Sequence, residues 1–182
     1  MTNFTVPSRG EVSANNQAIF DQLEKGLGFV PNLFATYAHS DTALENYLTF
    51  SNAKTSLSAK EKEVVNLAVS QVNDCVYCLS AHTAIAKMSG FTDSQILELR
   101  AGYSSVNQKL DALAKLAKNL TETRGKTDKN ILSDFFEAGY NKGNLIDVIA
   151  LVGDKTISNY INNTTAVPID FPLAQPLALE TT

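Results

Sequence analysis

No proline occurs between Asn32 and Val167. An interior proline removes a helical hydrogen bond and kinks or ends the helix, at a cost of about 3 kcal/mol or more. A proline-free stretch of that length, interrupted only by single glycines, suits a helical bundle. The prolines that do occur, Pro7 and Pro31 near the start and Pro168, Pro172 and Pro176 near the end, bracket it. No segment shows the period-two alternation of a half-buried strand.

Local punctuation divides this stretch. Ser58 followed by Glu61, and Thr92 followed by Gln95, have the spacing of capping boxes that open helices. Gly90, Gly125 and Gly139 each follow a periodic run and read as helix-ending glycines. Leu110, Leu113, Ala117 and Leu120 form one helical stripe, and Ile131, Leu132, Phe135 and Phe136 another. Helices are expected near 13–26, 32–38, 41–53, 59–72, 74–89, 93–101, 106–123, 128–138 and 144–162. The fold class is all-α, a single-domain helical bundle over 1–182, with its core at about 28–163 and an extended C-terminal tail at 164–182.

Composition narrows the function. Apolar residues make up 44% of the chain and charged residues 19%, which are globular values. The net charge of −4 argues against nucleic acid as a partner, because phosphate binding needs a basic surface. Residues 1–17 lack the basic-then-apolar pattern of a secretory signal. No stretch approaches the roughly 18 uninterrupted apolar residues of a membrane span, so no membrane partner is expected and the location is read as cytoplasmic. In that reducing compartment a pair of cysteines is more readily catalytic or metal-binding than structural.

The segment 59–72 carries Val64, Val65, Leu67, Ala68, Val69 and Val72, apolar almost all round, and is expected to be a central buried helix. Asn73 and Asp74 break it, with Asn73 a plausible N-cap for the next helix. That helix opens with Cys75-Val76-Tyr77-Cys78, and His82 follows four residues on. An i, i+3 spacing puts both sulfurs on one face, with Cβ atoms about 5–6 Å apart. Bridged cysteines have Cα atoms roughly 4.4–6.8 Å apart, so a disulfide is within reach. A helix N-terminus also favours thiolate. His82 lies one turn beyond Cys78, which makes Cys78 the assisted nucleophile and Cys75 the resolving thiol. If the two helices form an antiparallel hairpin turning near residue 73, Glu63 lies opposite His82. There a carboxylate would orient the imidazole and raise its basicity. The candidate catalytic residues are therefore Glu63, Cys75, Cys78 and His82.

The run Leu57–Arg100, with a glutamate twelve residues before a C-x-x-C and a histidine four after it, resembles the AhpD-like alkylhydroperoxidase branch of the carboxymuconolactone decarboxylase superfamily. The upstream "GFVPNLFATYAHS" from Gly28 is similar to its peroxidase-related members, so the resemblance covers most of 28–100. It implies an all-helical, oligomeric protein that reduces hydroperoxides, with Cys78 attacking the peroxide and Cys75 closing the disulfide. It implies a thiol reductant, lipoyl-type or thioredoxin-like, and no cofactor. The chain departs from the family pattern at Tyr77, where well-understood members carry a histidine. Tyrosine can donate a hydrogen bond but is a poor proton acceptor near neutral pH.

Other readings compete. Zinc would find three ligands in Cys75, Cys78 and His82, but a closed site needs a fourth, and His39 is distant, so no metal is expected. Inert buried cysteines are common, but the flanking histidine and glutamate argue against them here. A decarboxylase or lactone-processing enzyme on the same scaffold has no use for two vicinal thiols. A non-enzymatic redox sensor would use the same disulfide as a switch. Asn159, Asn162 and Asn163 either approach the pocket or form a polar helix end. The tail, with Val167, Ile169, Phe171, Leu173, Leu177 and Leu179 among its prolines, reads as an arm over its own body or a neighbour's. A homo-oligomer is expected, because monomers seldom leave such apolar surface open.

Overall fold

The structure, a computed structural model, describes residues 4–177, so Leu179 lies outside the described residues. After a 3₁₀ turn at Arg9–Glu11 come nine helices: α1 (Ala14–Leu27), α2 (Asn32–Tyr37), α3 (Ala43–Ser51), α4 (Ala59–Val72), α5 (Val76–Met88), α6 (Asp93–Ala101), α7 (Gln108–Glu122), α8 (Lys129–Glu137) and α9 (Lys142–Thr165). No strand occurs among the described residues, and the chain forms one all-helical domain. The expected helices all form. Both predicted capping boxes are present, Ser58 with Glu61 and Thr92 with Gln95.

One boundary differs noticeably from expectation: α9 starts earlier and ends later than 144–162. Asn141 and Asn144 cap its start reciprocally, a pairing outside the usual Ser/Thr–Glu/Gln pattern. Nothing in the sequence stops it before Ala166, which adopts a left-handed conformation (φ 51°) and closes the last turn by donating to Asn162.

Helix α4 is the axis of the fold, packed by α5, α6, α7 and α9. Val64, Val65, Leu67, Ala68 and Val69 are all fully buried, as the all-round apolar pattern requires. Around them gather Ile96 and Leu99 from α6, Leu113, Leu116 and Ala117 from α7, Phe135 from α8 and Val148 from α9. A second apolar cluster lies beside the first. It joins Phe20 of α1, Leu33 and Tyr37 of α2 and Leu44 and Tyr47 of α3 to Cys75, Tyr77, Cys78 and Val167. The cysteine motif is thus roofed by the three N-terminal helices.

The extended tail folds back over its own bundle. Val167 is buried, and Phe171 meets the rings of Tyr77 and Phe29 edge-on at 5.6 Å. Asp170 Oδ2 accepts the Asn32 backbone N–H at 2.7 Å, capping a helix whose own N-cap, Pro31, has no side-chain acceptor. Further along, the Ala174 N–H donates to Ser80 Oγ, and Arg100 Nη1 donates to the Gln175 carbonyl at 2.6 Å. Leu173 is left 72% exposed.

Candidate active site

The site is built around the reversal between α4 and α5. Asn73 is the C-cap of α4, not the N-cap of the next helix as its residue type suggested. Asp74 turns the chain in a left-handed conformation (φ 50°), one that aspartate tolerates better than most residues. Cys75 takes the N-cap place, because its extended backbone leaves the sulfur facing the orphan N–H groups of the first turn. Cys75 Sγ accepts the Cys78 N–H at 3.3 Å. Cys75 and Cys78 are joined by a disulfide, with Cα atoms 5.3 Å apart. Both cysteines are enclosed, at 0% and 3% exposure.

One turn after Cys78 on the same helix, His82 Nδ1 meets Glu63 Oε2 at 2.8 Å. Glu63 Oε1 accepts Asn66 Nδ2 at 3.0 Å, so both carboxylate oxygens are engaged. The imidazole side chain is only 13% exposed and the carboxylate 8%. Burial works to raise the Glu63 pKa. The His82 charge and hydrogen bond, the Asn66 amide and the more distant Lys155 outweigh it, so the carboxyl lies below its ordinary value. Burial and then the Lys155 charge push the His82 pKa below its ordinary value, against the pull of Glu63. The stable arrangement is a carboxylate accepting Nδ1–H, with Nε2 bare and able to take a proton.

Tyr77 packs in the cluster that encloses the cysteines. It is 2% exposed, its hydroxyl accepts the Leu33 N–H at 3.2 Å, and it lies beside Asp170. Burial drives its pKa up strongly. Tyr77 therefore anchors α2 and the tail against α5. His39, exposed on the far side, meets the Thr5 carbonyl.

Sequence offered Asn159, Asn162 and Asn163 of the polar inner face of α9 but not Asp154, Lys155 or Ser158. Asp154, Lys155, Ser158, Asn159 and Asn162 are all buried. Asn159 accepts from Asn73 Nδ2 at 3.0 Å and donates to Ser70 Oγ at 3.2 Å, while Asn163 Nδ2 donates to the Asn73 carbonyl at 2.7 Å. These asparagines clamp the turn that presents Cys75, so they are more than a polar helix end. Ser158 Oγ pairs with Tyr47 OH at 2.6 Å. Their spacing along α9 was visible, but an apolar outer face disguised which side was inward. Among the described residues no group of three or more His, Cys, Asp or Glu is arranged to hold a metal ion. No helix of the described residues is long and apolar enough to cross a membrane.

Residues 38–119 match the carboxymuconolactone decarboxylase family. Among curated proteins, the uncharacterized protein YdfG of Bacillus subtilis (strain 168) is 24% identical over 120 residues, 64% of this chain and 76% of its own. Among solved structures, an alkylhydroperoxidase AhpD core, an uncharacterized peroxidase-related protein from Ralstonia eutropha JMP134, superposes with a TM-score of 0.82 at 20% identity, covering 92% of each chain. The debrominase Bmp8 in complex with 2,3,4-tribromopyrrole superposes with a TM-score of 0.78 at 18% identity, over 93% of this chain and 92% of its own. Residues 38–119 thus match the carboxymuconolactone decarboxylase family model, and the chain has the AhpD-like fold.

Proposed function

We propose that the protein is a thiol-dependent peroxidase, an oxidoreductase that cycles Cys75 and Cys78 between dithiol and disulfide. The observation that carries this reading is the disulfide at the start of α5 with the Glu63–His82 pair one turn away. In the reduced state His82 Nε2 takes the Cys78 proton. The Cys78 thiolate attacks the distal oxygen of a hydroperoxide, breaking the O–O bond. The departing alkoxide collects a proton and leaves as alcohol, and Cys78 becomes a sulfenic acid. Cys75 then attacks the Cys78 sulfur, its thiol proton passing to the hydroxide that leaves, so the disulfide closes and water is released. A partner dithiol, lipoyl-type or thioredoxin-like, returns the two electrons by exchange. The N–H donated to Cys75 Sγ stabilises that sulfur as thiolate, which suits it both as the resolving group and as the sulfur expelled during re-reduction. Chemistry of this kind fits a cytoplasmic enzyme, where thiols are kept reduced.

A second reading, reductive removal of halogen by the same dithiol, draws support from the fold likeness to a debrominase. The deciding experiment titrates free thiols before and after one equivalent of hydroperoxide, places any bond by mass spectrometry, and then offers a dithiol for turnover. Consumption of peroxide with loss of two thiols and formation of the Cys75–Cys78 bond supports the peroxidase. Inertness to peroxide, with bromide released from 2,3,4-tribromopyrrole, moves the assignment to dehalogenation. Inertness to both leaves a redox switch.

The protein is further proposed to be a homo-oligomer, but through α9 and not the tail. Ile146, Ile149, Ile157 and Tyr160 form an exposed stripe along α9 at 45–64% exposure. Gly153 lies between them on the same face. A full-length oligomer that Ile157→Lys dissolves, and that deletion after Ala166 leaves intact, is the expected sedimentation result.

A further inference from the structure

Lys155 is a buried cation that the cycle above does not use. It is 7% exposed on the inner face of α9 and makes no hydrogen bond or ion pair among the described residues. A lysine buried to this degree is costly unless nearby carboxylates compensate its charge, so such a group is rarely incidental.

Its location follows from the register between two helices. The start of α9 meets the start of α4, where Asp147 Oδ2 accepts the Ser56 N–H at 2.7 Å. Its end meets the end of α4 through Asn159 to Ser70 and Asn163 to Asn73. The helices therefore run parallel, and the bonded pairs are 86 to 91 positions apart. That register sets Lys155 against Asn66, one turn from Glu63 on the same face of α4. Asn66 Oδ1 is itself buried without a partner.

The charged and titratable groups around this point can be assigned. Glu63 comes from α4, His82 from α5, and Asp154 from α9, with the phenols of Tyr37 and Tyr47 beyond it. Asp154 accepts a hydrogen bond from Ser51 Oγ at 3.2 Å and lines an outer cleft with Lys54 and Lys62. Its other oxygen is buried without a partner, so Lys155 lies between two carboxylates, Asp154 on its own helix and Glu63 on α4, the latter paired with His82.

We propose that Lys155 is a positioning residue whose ammonium balances the Glu63 carboxylate, leaving His82 neutral and free to accept the Cys78 proton. With Lys155 absent, the carboxylate would hold an imidazolium in place of an imidazole, and no base would face the thiol. The direction of the His82 shift, in which the Lys155 charge follows burial as a cause, agrees with this geometry. In Lys155 itself burial works to lower the pKa, while Asp154 and Glu63 work to raise it. This inference rests on reading Cys78 as the thiol that gives up its proton to His82.

The chain has two histidines, so histidine NMR gives two titrations, with the exposed His39 as an internal control. In the reduced wild-type chain at pH 7, His82 is expected to be neutral with the proton on Nδ1, and Lys155 charged. Lys155→Met should raise the His82 pKa by about one unit or more, as expected when a nearby like charge is removed. Lys155→Arg should keep it low. A His82 already charged at pH 7 in wild type, a neutral Lys155, or a His82 titration unmoved in folded Lys155→Met overturns the proposal. If Lys155→Met does not fold, the two wild-type charge states decide alone. None of these readouts needs peroxide turnover, so failure of the peroxidase reading would be seen separately.

Discussion

His82 Nδ1 lies 2.8 Å from Oε2 of Glu63, a partner 19 residues earlier on the preceding helix. Because the carboxylate fixes the proton on Nδ1, the other ring nitrogen is the basic one. His82 shares its helix face with Cys78, one turn earlier, so α5 places the imidazole and the sulfur, and α4 orients the imidazole through Glu63.

Removing either member of this pair should weaken thiol activation. His82→Ala should raise the apparent pKa for Cys78 alkylation by about one unit and slow peroxide consumption roughly 10²-fold or more. Glu63→Gln should shift both in the same direction by less, since the imidazole remains but is less basic. Alkylation rates with iodoacetamide across pH 6–10 would check this. Coincident profiles for all three proteins would remove the pair from thiol activation.

The two sulfurs should not be interchangeable. Cys78→Ser should abolish peroxide consumption. Cys75→Ser should leave one oxidation event, trapped as a sulfenic acid on Cys78 or as a mixed disulfide with added thiol. Dimedone labelling followed by peptide mass spectrometry distinguishes them. Label on Cys75 in the Cys78→Ser protein, with none on Cys78 in its counterpart, would reverse the assignment.

Acid should destabilise the fold earlier than carboxylate titration alone would. The folded His82 pKa is below its ordinary 6.5, so below that pH the unfolded chain binds a proton that the folded chain resists. The folded Glu63 pKa is below its ordinary 4.5, so its stabilisation is complete above that value and is lost as pH falls through the folded one. Both groups make stability fall with falling pH, His82 first. A single differentially bound proton gives a slope of at most about 1.4 kcal/mol per pH unit. Urea midpoints between pH 8 and pH 5 should decline from about 6.5 downward in wild type and stay flatter over that window in His82→Gln.

The tail should matter for stability and for shielding the thiols. Asp170→Ala removes one of two side-chain acceptors at the α2 N-terminus, Tyr77 OH on the Leu33 N–H being the other, and should cost about 1–2 kcal/mol in denaturant unfolding. Phe171→Ala loosens the cover over Tyr77 and should speed alkylation of the reduced cysteines without changing its pH midpoint. A change of midpoint would mean that the tail tunes the thiol chemistry as well as access to it.

Much of this protein is written locally. The proline-free interior, the boxes at Ser58 and Thr92 and the glycine at Gly90 (φ 86°) act within a turn of themselves, so helix positions follow from sequence alone. The Cys75, Cys78 and His82 relationship is equally local, because all three lie on α5 or its N-cap, and the tight turn at Asn73 and Asp74 extends it to Glu63. What lies across the bundle is not legible this way. Asn159 clamping Asn73 and Asp170 capping Asn32 join positions 86 and 138 residues apart. Those pairings depend on how α9 slides and rotates against α4 and on where the tail returns. The sequence period states which residues of a helix share a face, but only the packing of the whole core decides which face turns inward and what it meets there.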